Sequence, residues 1–225
     1  MQTSSVLTHS WQLFRKEMLV EVRTKSSMTS FLLFSFISLF LVSLSMGSVN
    51  SNVSLPIKAA LYWIIIFFSS LSTLDKAFIQ EKDRNTFLAL RLYVPAQAVF
   101  LGKLLYNFVL LLVMSILLGL GFVVLMDVDV PALGPALLVC FLGAIGIASA
   151  GTLLGALVAF TSNQNYLFAI ISFPIFLPIF LILIQVLSNL LVSPVIEWSG
   201  YGMILAYDVL VLAVSSVLFD YLWYE

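Results

Sequence analysis

The sequence predicts an all-α integral membrane protein. It has six transmembrane helices, an amphipathic N-terminal helix in the membrane interface, and a short charged cytoplasmic helix between spans 2 and 3. Three observations predict this. Of 225 residues, 62% are hydrophobic and 9% charged, against about 25% charged in soluble domains, so the chain cannot cover itself with polar surface in water. Its apolar residues gather in six runs, at about 29–47, 57–75, 104–126, 134–160, 166–190 and 201–222, each able to cross roughly 30 Å of hydrocarbon as a helix. The runs are continuous, without the alternation of a membrane barrel. Residues 1–225 read as a single transmembrane domain.

The segment before the first run, "LTHSWQLFRKEMLVEVRTK", is amphipathic. Leu7, Trp11, Phe14, Met18 and Val22 recur at the three- and four-residue spacing of one helix face, with Arg15, Lys16, Glu21 and Arg23 mostly elsewhere around the wheel. An interfacial helix carrying Trp11, Phe14, Arg15 and Met18 is expected, with a soluble tail as the alternative. No signal-peptide pattern precedes the first run, which is expected to stay as an anchor.

All ten Lys and Arg lie between Arg15 and Lys103. Arg15, Lys16, Arg23 and Lys25 precede the first span; Lys76, Lys82, Arg84, Arg91 and Lys103 lie between the second and third; the opposite side holds only Lys58 in its loops. Cationic residues accumulate on the cytoplasmic side, so both termini are expected in the cytoplasm. The densest charge is in "EKDRNTFLALRLYVP", Glu81 to Pro95. Phe87, Leu88, Arg91 and Leu92 make a helical pattern there that Pro95 ends. The segment reads either as a helix that takes force from a soluble partner or as a solvated loop that only sets topology.

In the fourth run, Gly151, Gly155 and Ala159 form one small-residue row and Ala144, Ala148 and Thr152 another; such rows let helices approach closely in lipid. In the fifth, Pro174 and Pro178 stand one turn apart, and a kink or break is expected. "SNLLVSPVIEWSGYG", between the fifth and sixth runs, reads as short helices dipping into the outer leaflet, with Trp198 and Tyr201 at the interface. One ionisable residue, Asp208, falls inside a run, where such a group serves either function or as polar glue.

Catalytic material is scarce. The chain has one His, His9, and one Cys, Cys140, and no zinc, nucleophile-elbow or phosphate-loop motif. Gly102-Lys103 has neither the earlier Gly nor the following Ser/Thr of a phosphate loop, so no nucleotide site is expected. No apolar run holds a His to ligate a haem.

The segment from Glu81 through Asp83, Thr86, Leu90 and Pro95 to Gly102 and Lys103 resembles the one that follows the second span in type II ABC-exporter permeases. Asn85 stands where that pattern usually has Gly. The short length, the Pro174/Pro178 pair, the Gly/Ala-rich fourth span and the closing "ILAYDVLVLAVSSVLFDYLW" make the whole chain similar to the CcmB family, the permease subunit of the cytochrome c maturation haem exporter. The resemblance implies a permease that pairs with a second copy in the bacterial inner membrane and couples to a separate cytoplasmic ATPase, the A subunit. Glu81, Lys82, Asp83, Arg84, Thr86, Phe87, Leu90, Arg91 and Pro95 would form the coupling segment. It implies neighbours in the haem-handling C subunit, the small D subunit and the haem chaperone E. ATP and Mg would sit on the partner, haem would be a transient substrate, and no resident cofactor or nucleic acid is implied. Other type II exporters, of glycans, lipids or drugs, share the 81–103 pattern, and an ATP-independent scaffold is the reading from a different class. The charge asymmetry gives a test. Alkaline phosphatase fused in the loop of Asp127 and Asp129 is expected to be active, and inactive when fused at the C-terminus; the reverse pattern would invert the topology.

Overall fold

The computed structural model describes residues 2–46, 53–74, 78, 81, 87–159, 164–193 and 195–224. Among these it is all-helical, with eight helices: α1 (Gln2–Thr24), α2 (Ser26–Met46), α3 (Leu55–Leu71), α4 (Phe87–Tyr93), α5 (Ala96–Met126), α6 (Leu133–Ala159), α7 (Gln164–Val192) and α8 (Trp198–Tyr224). Five of them, α2 and α5 to α8, are long and apolar enough to cross a membrane. The helix at the second expected span, α3, is apolar but has 17 residues. At ~1.5 Å per residue that is about 25 Å, short of a full hydrocarbon thickness.

The bundle is organised around α6, the most enclosed of the five long helices, which packs against α5, α7 and α8. Small residues make this possible. A Cβ on Gly143 would meet Trp63 of α3 at 2.7 Å, and one on Gly151 would meet Leu74 at 2.5 Å. Gly155 is buried in the same helix. Around it, α3 packs on α7, and α2 on α5. Phe67, Phe176 and Phe180 meet edge-to-face between α3 and α7 at 5.3 to 6.2 Å, the arrangement the ring quadrupole favours. An apolar cleft of about 120 Å³ lies beside α6, lined by Tyr62, Gly119, Leu120, Phe122, Cys140 and Leu187.

Three local expectations are corrected. First, of the expected kink or break at Pro174 and Pro178, the break is absent: α7 runs through both as one helix. Tyr207 of α8 donates to the carbonyl of Ile175 at 2.6 Å within that same stretch. Second, no re-entrant helices separate the fifth and sixth runs among the described residues. "SNLLV" completes α7 and "WSGYG" opens α8. In lipid every backbone group needs a partner, which outweighs the weak helix propensity of Gly200 and Gly202. Trp198 is exposed, while Tyr201 is buried and donates to the carbonyl of Pro135. Third, Lys58 is not a loop cation. It is buried at the start of α3 and donates to the carbonyl of Met126 at 2.8 Å, at the C-terminal end of α5, where a cation suits the helix dipole.

The amphipathic helix presents its apolar row away from the bundle. α1 lies along α5, with Ser10, Leu13, Glu17 and Glu21 as its buried face. Trp11 and Arg15 are exposed, and Phe14 and Met18 pack only partly against the core. The apolar row looks outward and a row containing two carboxylates looks in. The approach is close because α5 has no side chain at Gly102, where a Cβ would meet the Leu13 Cβ at 2.8 Å and the Ser10 carbonyl oxygen at 2.9 Å. Gly102→Val is therefore expected to lift α1 from α5 at a cost of about 1–3 kcal/mol, read as a lower unfolding midpoint in detergent and faster tryptic cleavage within α1. Gly134→Val, where a Cβ has open space, is the control.

Candidate functional site

The inward face of α1 meets a complementary face of α5. Glu17 and Glu21 stand one turn apart on α1, and Lys103 and Tyr106 one turn apart on α5. Lys103 donates to Glu17 Oε1 at 2.9 Å, and the Tyr106 hydroxyl to Glu21 Oε2 at 3.0 Å. The other oxygen of Glu21 accepts from the backbone N–H of Met28 at 2.8 Å, in the first turn of α2. There a carboxylate satisfies one of the helix's open donors and opposes its positive end. Glu21 thus ties α1, α2 and α5 together. Between α1 and α2, Lys25 turns the chain at φ 52°.

Glu81 joins the same cluster. It is 4% exposed, ion-paired with Lys16, and its Oε1 lies 3.6 Å from the Lys103 ammonium. Lys103 is 0% exposed, and the Phe78 ring sits 4.8 Å from its nitrogen, a cation–π distance. Lys16 reaches the cluster from its half-exposed side and also lies 3.6 Å from Glu17. The formal charges of Lys16, Lys103, Glu17 and Glu81 cancel. A buried ammonium persists only where carboxylates compensate it, and here they come from α1 and from the segment before α4.

A second attachment lies at the other end of the expected coupling segment. Arg91 Nε donates to the carbonyl of Trp223 at 2.7 Å, in the last turn of α8. Leu90 packs there with Phe78, Phe100, Phe219 and Trp223. Phe219 meets Phe78 at 5.8 Å, Phe100 at 5.3 Å and Trp223 at 5.5 Å. Leu92 and Tyr93, each 81% exposed, are the most exposed large apolar residues among the described ones. Phe87 opens α4 and Pro95 precedes the first turn of α5. Lys82, Asp83, Arg84 and Thr86 lie outside the described residues.

The predicted residues are thus only partly brought together. Glu81, Leu90 and Arg91 attach to the bundle, whereas Trp11 and Arg15 face away from the cluster. Sequence reasoning missed Glu17 and Tyr106, placed Glu21 only off the apolar face of α1, and saw Lys103 only as a topology cation and half of a Gly-Lys pair. The available signal was two carboxylates at i, i+4 on a helix whose neighbours are mostly apolar, with a Lys and a Tyr at i, i+3 at the start of a span.

Asp208 is separate from this cluster. It is 4% exposed in α8, against Gly146 of α6 and Ile179 of α7, and neither carboxylate oxygen has a hydrogen-bond partner among the described residues. Nearer the cluster, Asn107 Nδ2 donates to Thr152 Oγ1 at 2.9 Å. No three His, Cys, Asp or Glu side chains stand together as a metal site among the described residues. Polar glue needs a partner, and a buried polar group without one is destabilising. Asp208→Asn, which keeps shape and removes charge, is expected to hold or raise the unfolding midpoint in detergent. A fall of several degrees would identify Asp208 as a packing contact.

Comparison with the curated proteins finds no match. The family model described as CcmB protein matches residues 8–220, from the start of α1's buried face to the last turns of α8. An all-helical bundle with five membrane-length apolar helices, matched over nearly its whole length, belongs to the CcmB family, a membrane component of the haem export system for cytochrome c maturation.

Proposed function

We propose that this chain is the permease subunit of an ABC complex for cytochrome c maturation. All six apolar helices, the short α3 included, cross the bacterial inner membrane, with both termini in the cytoplasm and α1 in the interface. A second copy completes the pathway. A separate cytoplasmic ATPase subunit supplies hydrolysis, with ATP and Mg on that subunit and no nucleotide site on this chain. The C and D subunits and the haem chaperone E complete the assembly. The work done is release of the haem-loaded chaperone. That reading is favoured over haem passage because the only His, His9, precedes the spans, and of the other haem-ligating side chains Met114 and Met126 are buried in the core.

The single observation that carries the proposal is the two-sided character of α4. One side is tied down through Leu90 and Arg91, and the other presents Leu92 and Tyr93. A helix fixed to the bundle with a bare apolar edge suits a docked protein partner. Glu81 then acts from inside, as a tether, while Leu92 and Tyr93 meet the ATPase. The test is copurification with the ATPase subunit, followed by an ATPase assay. Leu92→Asp and Tyr93→Asp together are expected to weaken capture at least about tenfold, the effect of losing an interface hot spot. Undiminished capture would remove α4 from the interface, and absence of any ATPase partner would favour the scaffold reading.

A further inference from the structure

We propose that the outward face of α1 is a binding surface for anionic phospholipid, with Arg15, Arg23 and Lys25 as its headgroup contacts. The proposal rests on the interfacial placement of α1 given above and names the lipid that the helix selects. Leu7, Trp11, Leu19 and Val22 are each more than half exposed, and Arg15, Arg23 and Lys25 are exposed beside them. Lys25 leads directly into α2, which is long and apolar enough to cross a membrane. The end of α1 is therefore held at the level where a span begins. An apolar row at that level, with cations along its edge, has the make-up of a helix lying in the headgroup layer.

Charge decides which headgroups suit it. Both carboxylates of α1 point into the bundle, Glu17 to Lys103 and Glu21 to Tyr106 and the Met28 N–H. Lys16 is ion-paired with Glu81. Arg15, Arg23 and Lys25 take part in no ion pair among the described residues. Turning both acids inward thus leaves the outward side with three cations and no acid of its own helix. A zwitterionic surface offers such a face no net field. An anionic surface does, at about fivefold in affinity for each cation that reaches it.

The full chain is tested alone in phosphatidylcholine nanodiscs. These carry a trace of lipid with a quencher on its acyl chain, either phosphatidylglycerol or phosphatidylcholine. A fluorophore on Gln12→Cys, an exposed position of α1, in a Cys140→Ser background reads the lipid beside the helix. The same label on Leu133→Cys, exposed at the start of α6, gives the reference. The expected result is that phosphatidylglycerol quenches at position 12 at least about fivefold more effectively than phosphatidylcholine, with no such preference at 133. Added salt is expected to reduce the preference. Arg15→Gln, Arg23→Gln and Lys25→Gln together are expected to abolish it, whereas Arg15→Lys with Arg23→Lys keeps it. Equal quenching by the two lipids at position 12 would overturn the proposal, as would a preference that survives the triple Gln variant. A label at 12 that neither lipid quenches would mean that something other than lipid covers the face, and would overturn the interfacial placement as well. No arm of this test uses the ATPase subunit, so its outcome is separate from the success or failure of ATPase coupling.

Discussion

Lys103 imposes the constraint on which the α1 end of this bundle is built. An ammonium with no exposed surface is tolerable only if carboxylates reach it. They arrive from two directions, one on a helix that precedes every span and one on the segment between the second and third. Meeting that requirement lays α1 along α5 with its carboxylates inward. The same placement lets Glu21 satisfy the first turn of α2 while taking the Tyr106 hydroxyl. Helix placement that would follow from apolar packing in a soluble protein follows here from charge, because lipid competes on equal terms for every apolar face.

Within the membrane the organising feature is absence of side-chain volume. Gly143, Gly146 and Gly151 on α6 admit Trp63, Ile179 with Asp208, and Leu74 respectively. Side chains from α3, α7 and α8 thereby seat against one helix, and dispersion between well-fitted surfaces supplies the attraction that hydrophobic burial cannot. The polar groups in this layer differ in how well they are met. Thr152 engages Asn107 and its own helix, whereas the Asp208 carboxyl has no partner among the described residues. A buried carboxyl without a partner is destabilising in such a bundle.

Much of this was legible in the sequence, and the exceptions share a cause. Helical class, the apolar runs, the small-residue rows and the isolation of Asp208 follow from composition and spacing. The apolar row of α1 was legible, and Leu7, Trp11 and Val22 are exposed outside the bundle; spacing did not show that Glu17 and Glu21 point in. Gly200 and Gly202 read as breakers on scales measured in water, but α8 passes through them. Pairings such as Lys103 with Glu17 and Lys58 with the Met126 carbonyl join positions 86 and 68 residues apart. No local pattern encodes such contacts, and only the folded bundle brings them together.

The contact between Lys58 and the end of α5 also has a bearing on biogenesis. Spans leave the ribosome in order, and α3 is made before the helix whose terminal carbonyl receives its lysine. At 17 residues with a cation in its first turn, α3 is a poor candidate for stable residence in lipid alone. Its lysine finds the Met126 carbonyl only once α5 has been made, so this contact ties the start of α3 to a helix that follows it in the chain.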